Sequence, residues 1–144
     1  MTDGLPPAAP PAPRGGAGRS WWRWLCVVAY AALIFTSSSS SDAAPPSRVP
    51  DKVVHAGAYA VLSGLIVWAQ VAGRWRRVTR RTVVIAVVAS VLYGWSDEVH
   101  QRFVPGRTYD LLDLAADAVG ATAAAGALWA WGIISRGSTR HHGV

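Results

Sequence analysis

Cysteine occurs once, at Cys26, so the chain forms no intramolecular disulfide and offers no cysteine-rich metal site. Cys26 lies inside an apolar stretch and reads as a packing residue. Charge is scarce as well. Asp, Glu, Lys and Arg make up 15% of the 144 residues, below the roughly 25% of an ordinary soluble domain. Only eight residues are acidic, and five of those fall within residues 93–120. HExxH, GxSxG and glycine-rich phosphate-loop signatures are missing, and no nucleophile is evident. Ser96 stands next to acids, but no positioned histidine base for it follows from the sequence. There is no established catalytic motif.

What the chain does have is hydrocarbon. Apolar residues gather around Trp24–Phe35, Val53–Ala72, Val83–Trp95 and Leu111–Ile134. A membrane-crossing helix needs about 20 mostly apolar residues. The second and fourth blocks reach that length directly. The third reaches it by running from about Arg81 into Asp97–Gln101. The first, about Trp22–Thr36, is short, but Trp21, Trp22 and Trp24 suit a membrane interface. The expected fold is all-α: a polytopic integral membrane protein with four transmembrane helices. Residues 1–20, rich in Pro, Ala and Gly, read as a disordered tail. Residues 21–135 form the membrane domain and 136–144 a second short tail. A basic start, an apolar core and the run Ser37–Ser41 also describe a cleavable signal peptide, which leaves the later helices oriented the same way.

Basic residues set that orientation. The N-terminal segment, the connection between the second and third helices and the C-terminus together carry ten Lys or Arg; the other two connections carry four. Positive-inside bias places both termini in the cytoplasm. The net charge of +6 is thus spent at helix ends, not on a nucleic-acid-binding patch. Asp42, Asp51, Asp97, Glu98, Asp110, Asp113 and Asp117 then all fall on the outer side, where three helix ends bring their polar residues to one face.

Helical periodicity sharpens the cluster. Lys52, His55 and Tyr59 share a side of the second helix. Tyr93, Asp97 and Gln101 recur every four residues on the third, with Glu98 beside them. Asp110, Asp113 and Asp117 share a face of the fourth, continued inward by Gly120, Ala121 and Ala124, small residues that let another helix approach. Pro105-Gly106 suits the centre of a tight turn, and Arg107 follows it among the acids. Structural readings stand beside this one. Thr108 or Asp110 can cap the fourth helix, Asp113 can serve its dipole and Asp51 can cap the second. Lys52 can snorkel, and Tyr59 and Tyr93 can be interfacial aromatics. The whole set can be a structural ion-pair network. His100 shares neither stripe and is expected to be exposed; His141 and His142 lie in the C-terminal tail.

Lys52 and Arg107 facing several carboxylates suit a zwitterionic or phosphate-bearing lipid headgroup. His55, Glu98, Asp113 and Asp117 are candidates to hold a divalent cation, with oxygen donors favouring magnesium, calcium or manganese. Neither a cofactor nor an oligomeric state is fixed by the residues. A metal-assisted enzyme acting on a lipid-linked phosphate or ester is the alternative, and a scaffold for cell-wall machinery a third. Acids gathered at one face, and not along the midplane, argue against transport.

DKVVHAGAY, YGWSDEVHQRFVPGR and DLLDLAADAVG, in that order and separated by an apolar helix with a basic loop, resemble the VanZ-like membrane proteins. The family pattern covers roughly residues 22–134: Asp51, Lys52, His55 and Tyr59; Glu98, Gln101 and Pro105-Gly106-Arg107; then Asp113, Asp117 and Gly120. Many members carry Asn where this chain has Asp117. The resemblance implies a multi-pass protein of the bacterial cytoplasmic membrane. It also implies a link to glycopeptide or lipoglycopeptide susceptibility, without an assigned reaction.

Overall fold

The computed structural model describes residues 21–39 and 50–137. The expectations about residues 1–20, Asp42, His141, His142 and most of the C-terminal tail lie outside them. Four helices form: α1 (Trp21–Ser38), α2 (Asp51–Val71), α3 (Arg80–Gln101) and α4 (Leu111–Gly137), with no strand among the described residues. α2, α3 and α4 are each long and apolar enough to cross a membrane; α1 is shorter, at 18 residues.

Local chemistry fixes where the helices begin and end. α2 closes on Ala72 in the left-handed region (φ 54°), followed by Gly73 (φ 74°), whose N–H reaches the Trp68 carbonyl. Such a left-handed residue satisfies the last carbonyls of a helix. A single 3-10 turn, Trp75–Arg77, leads on to Thr79, which caps α3 through a reciprocal box with Thr82. At the other end Asp110 caps α4, its Oδ1 accepting the Leu112 N–H at 2.8 Å. α2 starts differently from expectation: Asp51 is its first residue and Pro50 precedes it, with no side-chain cap. Proline lacks an N–H and its fixed φ suits a helix entrance, which leaves the Asp51 carboxylate out of the capping role.

The bundle is built around α2 and α4. On α4 the buried positions are Asp113, Asp117, Gly120, Ala121, Ala125 and Gly132. The inward face therefore passes through Ala125, and Ala124 is only half-buried, because four-residue steps from Asp113 follow the contact line. Gly120 sits against the Ala56 backbone, and a Cβ there would overlap the Ala56 carbonyl. Farther along, Tyr59, Leu62, Ile66, Val67, Val71, Val78, Ala86 and Ala125 close the core. Large apolar side chains such as Val28, Val61, Val84, Val88, Val119 and Ile134 face outward. Acids inside and hydrocarbon outside is the arrangement of a helix bundle solvated by lipid.

Overpacking against backbone cannot be relieved by a rotamer change, so Gly120→Ala should destabilise the fold by about 1–3 kcal/mol or more. Gly126→Ala, on the same helix with no atom near its would-be Cβ, should instead be neutral or stabilising by up to about 1 kcal/mol. Thermal unfolding of both variants in one detergent separates a close-contact requirement from a mere helix-propensity effect.

Candidate functional site

Every described acid lies at one end of the bundle: Asp51 at the start of α2, Asp97 and Glu98 near the end of α3, and Asp110, Asp113 and Asp117 at the start of α4. α2 supplies three of them with basic partners. Lys52 Nζ donates to Asp110 Oδ2 at 3.0 Å and to Asp113 Oδ1 at 3.1 Å. His55 Nδ1 meets Asp117 Oδ1 at 3.1 Å, one turn deeper. The Leu112 N–H and the Lys52 ammonium hold the Asp110 carboxyl below the usual carboxylate range.

α3 closes the layer from the other side. Glu98 is 1% exposed, and its Oε2 accepts the Asp110 N–H at 3.0 Å, joining the end of α3 to the cap of α4. Gly94, one turn back, leaves room for Asp117: a Cβ at Gly94 would come 2.7 Å from Asp117 Oδ2 and 3.1 Å from the Tyr59 ring. Glu98 Oε1, Asp117 Oδ2 and the Tyr59 hydroxyl are buried without a hydrogen-bond partner. The connection between the helices folds through a type II turn. The Arg107 N–H reaches the Val104 carbonyl at 3.1 Å, with Pro105 at the first central position and Gly106 at φ 80° at the second.

α1 joins this layer through residues that the polar pattern did not single out. Ser38 Oγ donates to Asp97 Oδ1 at 2.6 Å, while Gln101 Nε2 donates to Asp97 Oδ2 at 3.3 Å. The Tyr93 hydroxyl donates to the Ala31 carbonyl at 2.6 Å, so Tyr93 fastens α3 to α1. His100 is partly buried, not exposed: its ring stacks 4.4 Å from Phe35 and its Nε2 lies 3.1 Å from Ser39 Oγ. Ser96 is tied to its own helix, its Oγ donating to the Tyr93 carbonyl at 2.7 Å.

Between α1, α2 and α3 lies a cavity of about 230 Å³. Asp51, His55, Asp97, Gln101 and Arg107 form its polar end, Tyr30, Leu33, Ile34, Val54 and Ala58 its apolar wall. Lys52 is absent from the lining and already holds two carboxylates. Arg107 has no ion-pair partner among the described residues, and its Nε is buried without one. Of the two expected cations, Lys52 thus engages Asp110 and Asp113, while Arg107 lines the cavity with no ion-pair partner among the described residues.

The four candidate cation ligands do not share one locus. Among the described residues, Asp51, His55 and Asp113 bring ligand atoms within 4.8 Å of one another. Asp117 instead bonds the His55 ring, and Glu98 accepts the Asp110 N–H.

Removing one partner of a buried pair strands the other. His55→Ala should therefore cost about 3 kcal/mol or more, and adding Asp117→Asn to it should recover part of that loss. Thermal unfolding of both single variants and the double variant gives the coupling; simple additivity would mean that the two side chains act separately.

A family model described as VanZ/LLP1 matches residues 21–134. No curated protein and no solved structure matches the chain significantly. The matched span takes in α1, α2, α3, all but the last turn of α4 and every carboxylate of the buried layer, and the chain belongs to the VanZ-like family of membrane proteins.

Proposed function

We propose that the cavity between α1, α2 and α3 binds an envelope lipid or an envelope-directed amphiphile by its anionic head, with Arg107 as the contact for that head. The observation that carries this reading is the pairing of one unengaged, partly buried guanidinium with an apolar wall in the same cavity. A guanidinium forks onto phosphate or carboxylate oxygens. Tyr30, Leu33, Ile34, Val54 and Ala58 suit the first carbons of an acyl chain. Asp51 and Asp97, at the polar end, suit an amine in a zwitterionic head. Lys52, His55, Asp110, Asp113 and Asp117 hold the helix ends around the cavity.

The protein then resides in the bacterial cytoplasmic membrane with α1 as a fourth span and both termini in the cytoplasm. Arg23, the arginines of residues 74–81 and Arg136 all lie at the end opposite the acids, which supports this orientation. Its cellular role is in envelope homeostasis, including susceptibility to glycopeptides or lipoglycopeptides, in keeping with its family. Reporter fusions should show a cytoplasmic C-terminus and an outward segment 40–49; the opposite pattern would place the cavity on the wrong face.

Phosphatidylglycerol carrying a diazirine in its acyl chain tests the site directly in liposomes. It should label Tyr30, Ile34 and Ala58 above the outward-facing Val88 and Val119. Arg107→Gln should lower that excess about tenfold, the worth of a hydrogen bond to a charged group. The same variant should fail to restore teicoplanin susceptibility to the wild-type level in a strain deleted for the chain. Labelling and susceptibility that both ignore Arg107 would refute the assignment.

A further inference from the structure

The opposite end of the bundle carries a second polar feature of contrary sign. No described acid lies there, and the turn between α2 and α3 presents Arg74, Arg76 and Arg77 side by side. These three, with Trp75 and Ser135, line an open recess of about 450 Å³. Orientation in a membrane requires only that basic residues be present near that face. Here the backbone that bears them is also fastened in place.

Three contacts do the fastening. The Trp75 carbonyl rests on α4 at Gly132, where a Cβ would come within 2.7 Å of it. Arg136 spans the junction, Nε donating to the Gly132 carbonyl at 3.0 Å and Nη2 to the Val78 carbonyl at 2.7 Å. Trp75 itself packs on the core, and Val78 is fully buried. With the turn's backbone pinned inward, the guanidiniums project outward around the recess, and all three arginines are exposed. Arg74 and Arg77 form no hydrogen bond or ion pair through their side chains with another described residue.

The surroundings specify the anion. Arg23 lies over the Trp22 and Trp68 rings at 5.0 and 5.4 Å, and Arg80 lies over Trp129 at 5.6 Å. Tryptophans at apolar helix ends mark the headgroup level of a bilayer. A basic pocket between helices at that depth meets lipid phosphates. We infer that this recess binds the phosphate of an anionic phospholipid in the leaflet opposite the acidic site. It is a second lipid site, independent of the cavity around Arg107, and it ties the α2–α3 turn to the membrane surface.

The test uses the full chain in liposomes with two probes bearing a diazirine near the glycerol backbone, one phosphatidylglycerol and one phosphatidylcholine. The anionic probe should label Trp75 and Ser135 about tenfold more than the zwitterionic one, and Arg74→Gln/Arg77→Gln should remove that preference. Ser135→Glu, which adds a negative charge to the lining without touching the turn, should do the same. Circular dichroism melts establish that each variant is folded. Labelling at Ile34 and Ala58 reports the other cavity in the same sample, so the failure of one site is read apart from the other. Equal labelling by the two probes, or a preference that survives both variants, would overturn the inference. Loss of the preference on adding millimolar inorganic phosphate would assign the recess to a soluble anion and overturn it equally.

Discussion

The contact between Gly120 and the Ala56 carbonyl governs the polar half of the molecule. Side chains at Lys52 and His55 reach Asp113 and Asp117 only because α2 and α4 approach closely just below them. An added methylene at the crossing would push the helices apart and lengthen both pairs together. The buried carboxylates tolerate no such change. Asp117 is 1% exposed and Glu98 likewise, and a buried charge that loses its partner costs several kcal/mol. Backbone proximity at one glycine is thus the condition for carboxylates within an apolar bundle.

Once those pairs form, the charges of the acidic end divide into two groups. Lys52 and His55 are committed to α4, and Asp97 is held by Ser38 and Gln101. Glu98 binds the backbone of Asp110. Arg107 is left facing the cavity, on a turn whose Pro105 and Gly106 fix its direction. Residues that look equivalent in a list of polar positions therefore act in different ways. Most link one helix to another, and Arg107 lines the cavity with no ion-pair partner among the described residues.

Much of this was legible in the sequence because it obeys periods. The stripes Lys52–His55–Tyr59 and Asp113–Asp117 follow from 100° per residue, and burial deepens along the first from exposed Lys52 through half-buried His55 to buried Tyr59, while Asp113 and Asp117 are both buried. The Pro105-Gly106 turn follows from proline's fixed φ and glycine's freedom at positive φ. What escaped is what has no polar or periodic mark. The contribution of α1 to the cavity comes through Tyr30, Leu33 and Ile34, which read as ordinary membrane residues. Ser38 looked like part of a serine run ending a helix, and nothing local ties it to Asp97, 59 residues away. Gly94 was a readable signal passed over: it stands four residues before Glu98 on the buried face, where a small residue invites close approach. Ala125, not Ala124, continues the contact line, since a drift of one position accumulates over three turns.

Depth explains why the inner acids depend on contacts from neighbouring helices. Trp131, exposed on α4, suits the interface at the basic end. Asp117 lies fourteen residues before it, about 21 Å along the axis at 1.5 Å per residue. Against a hydrocarbon thickness of about 30 Å, Asp117 then sits roughly 9 Å inside the opposite boundary, below the level of headgroups. Asp110 and Lys52, nearer the helix ends, stand in water-accessible surroundings and need only a surface pair. At the depth of Asp117, His55 from α2 supplies a hydrogen-bond partner for Oδ1 and Gly94 on α3 leaves the room that Oδ2 occupies. On the proposed reading, an amphiphile would meet a cavity whose polar lining includes Arg107, His55 and Asp97 and whose apolar lining includes Leu33, Ile34 and Val54. A cavity that joins polar to apolar lining in this way is suited to a head group and the first carbons of its chain.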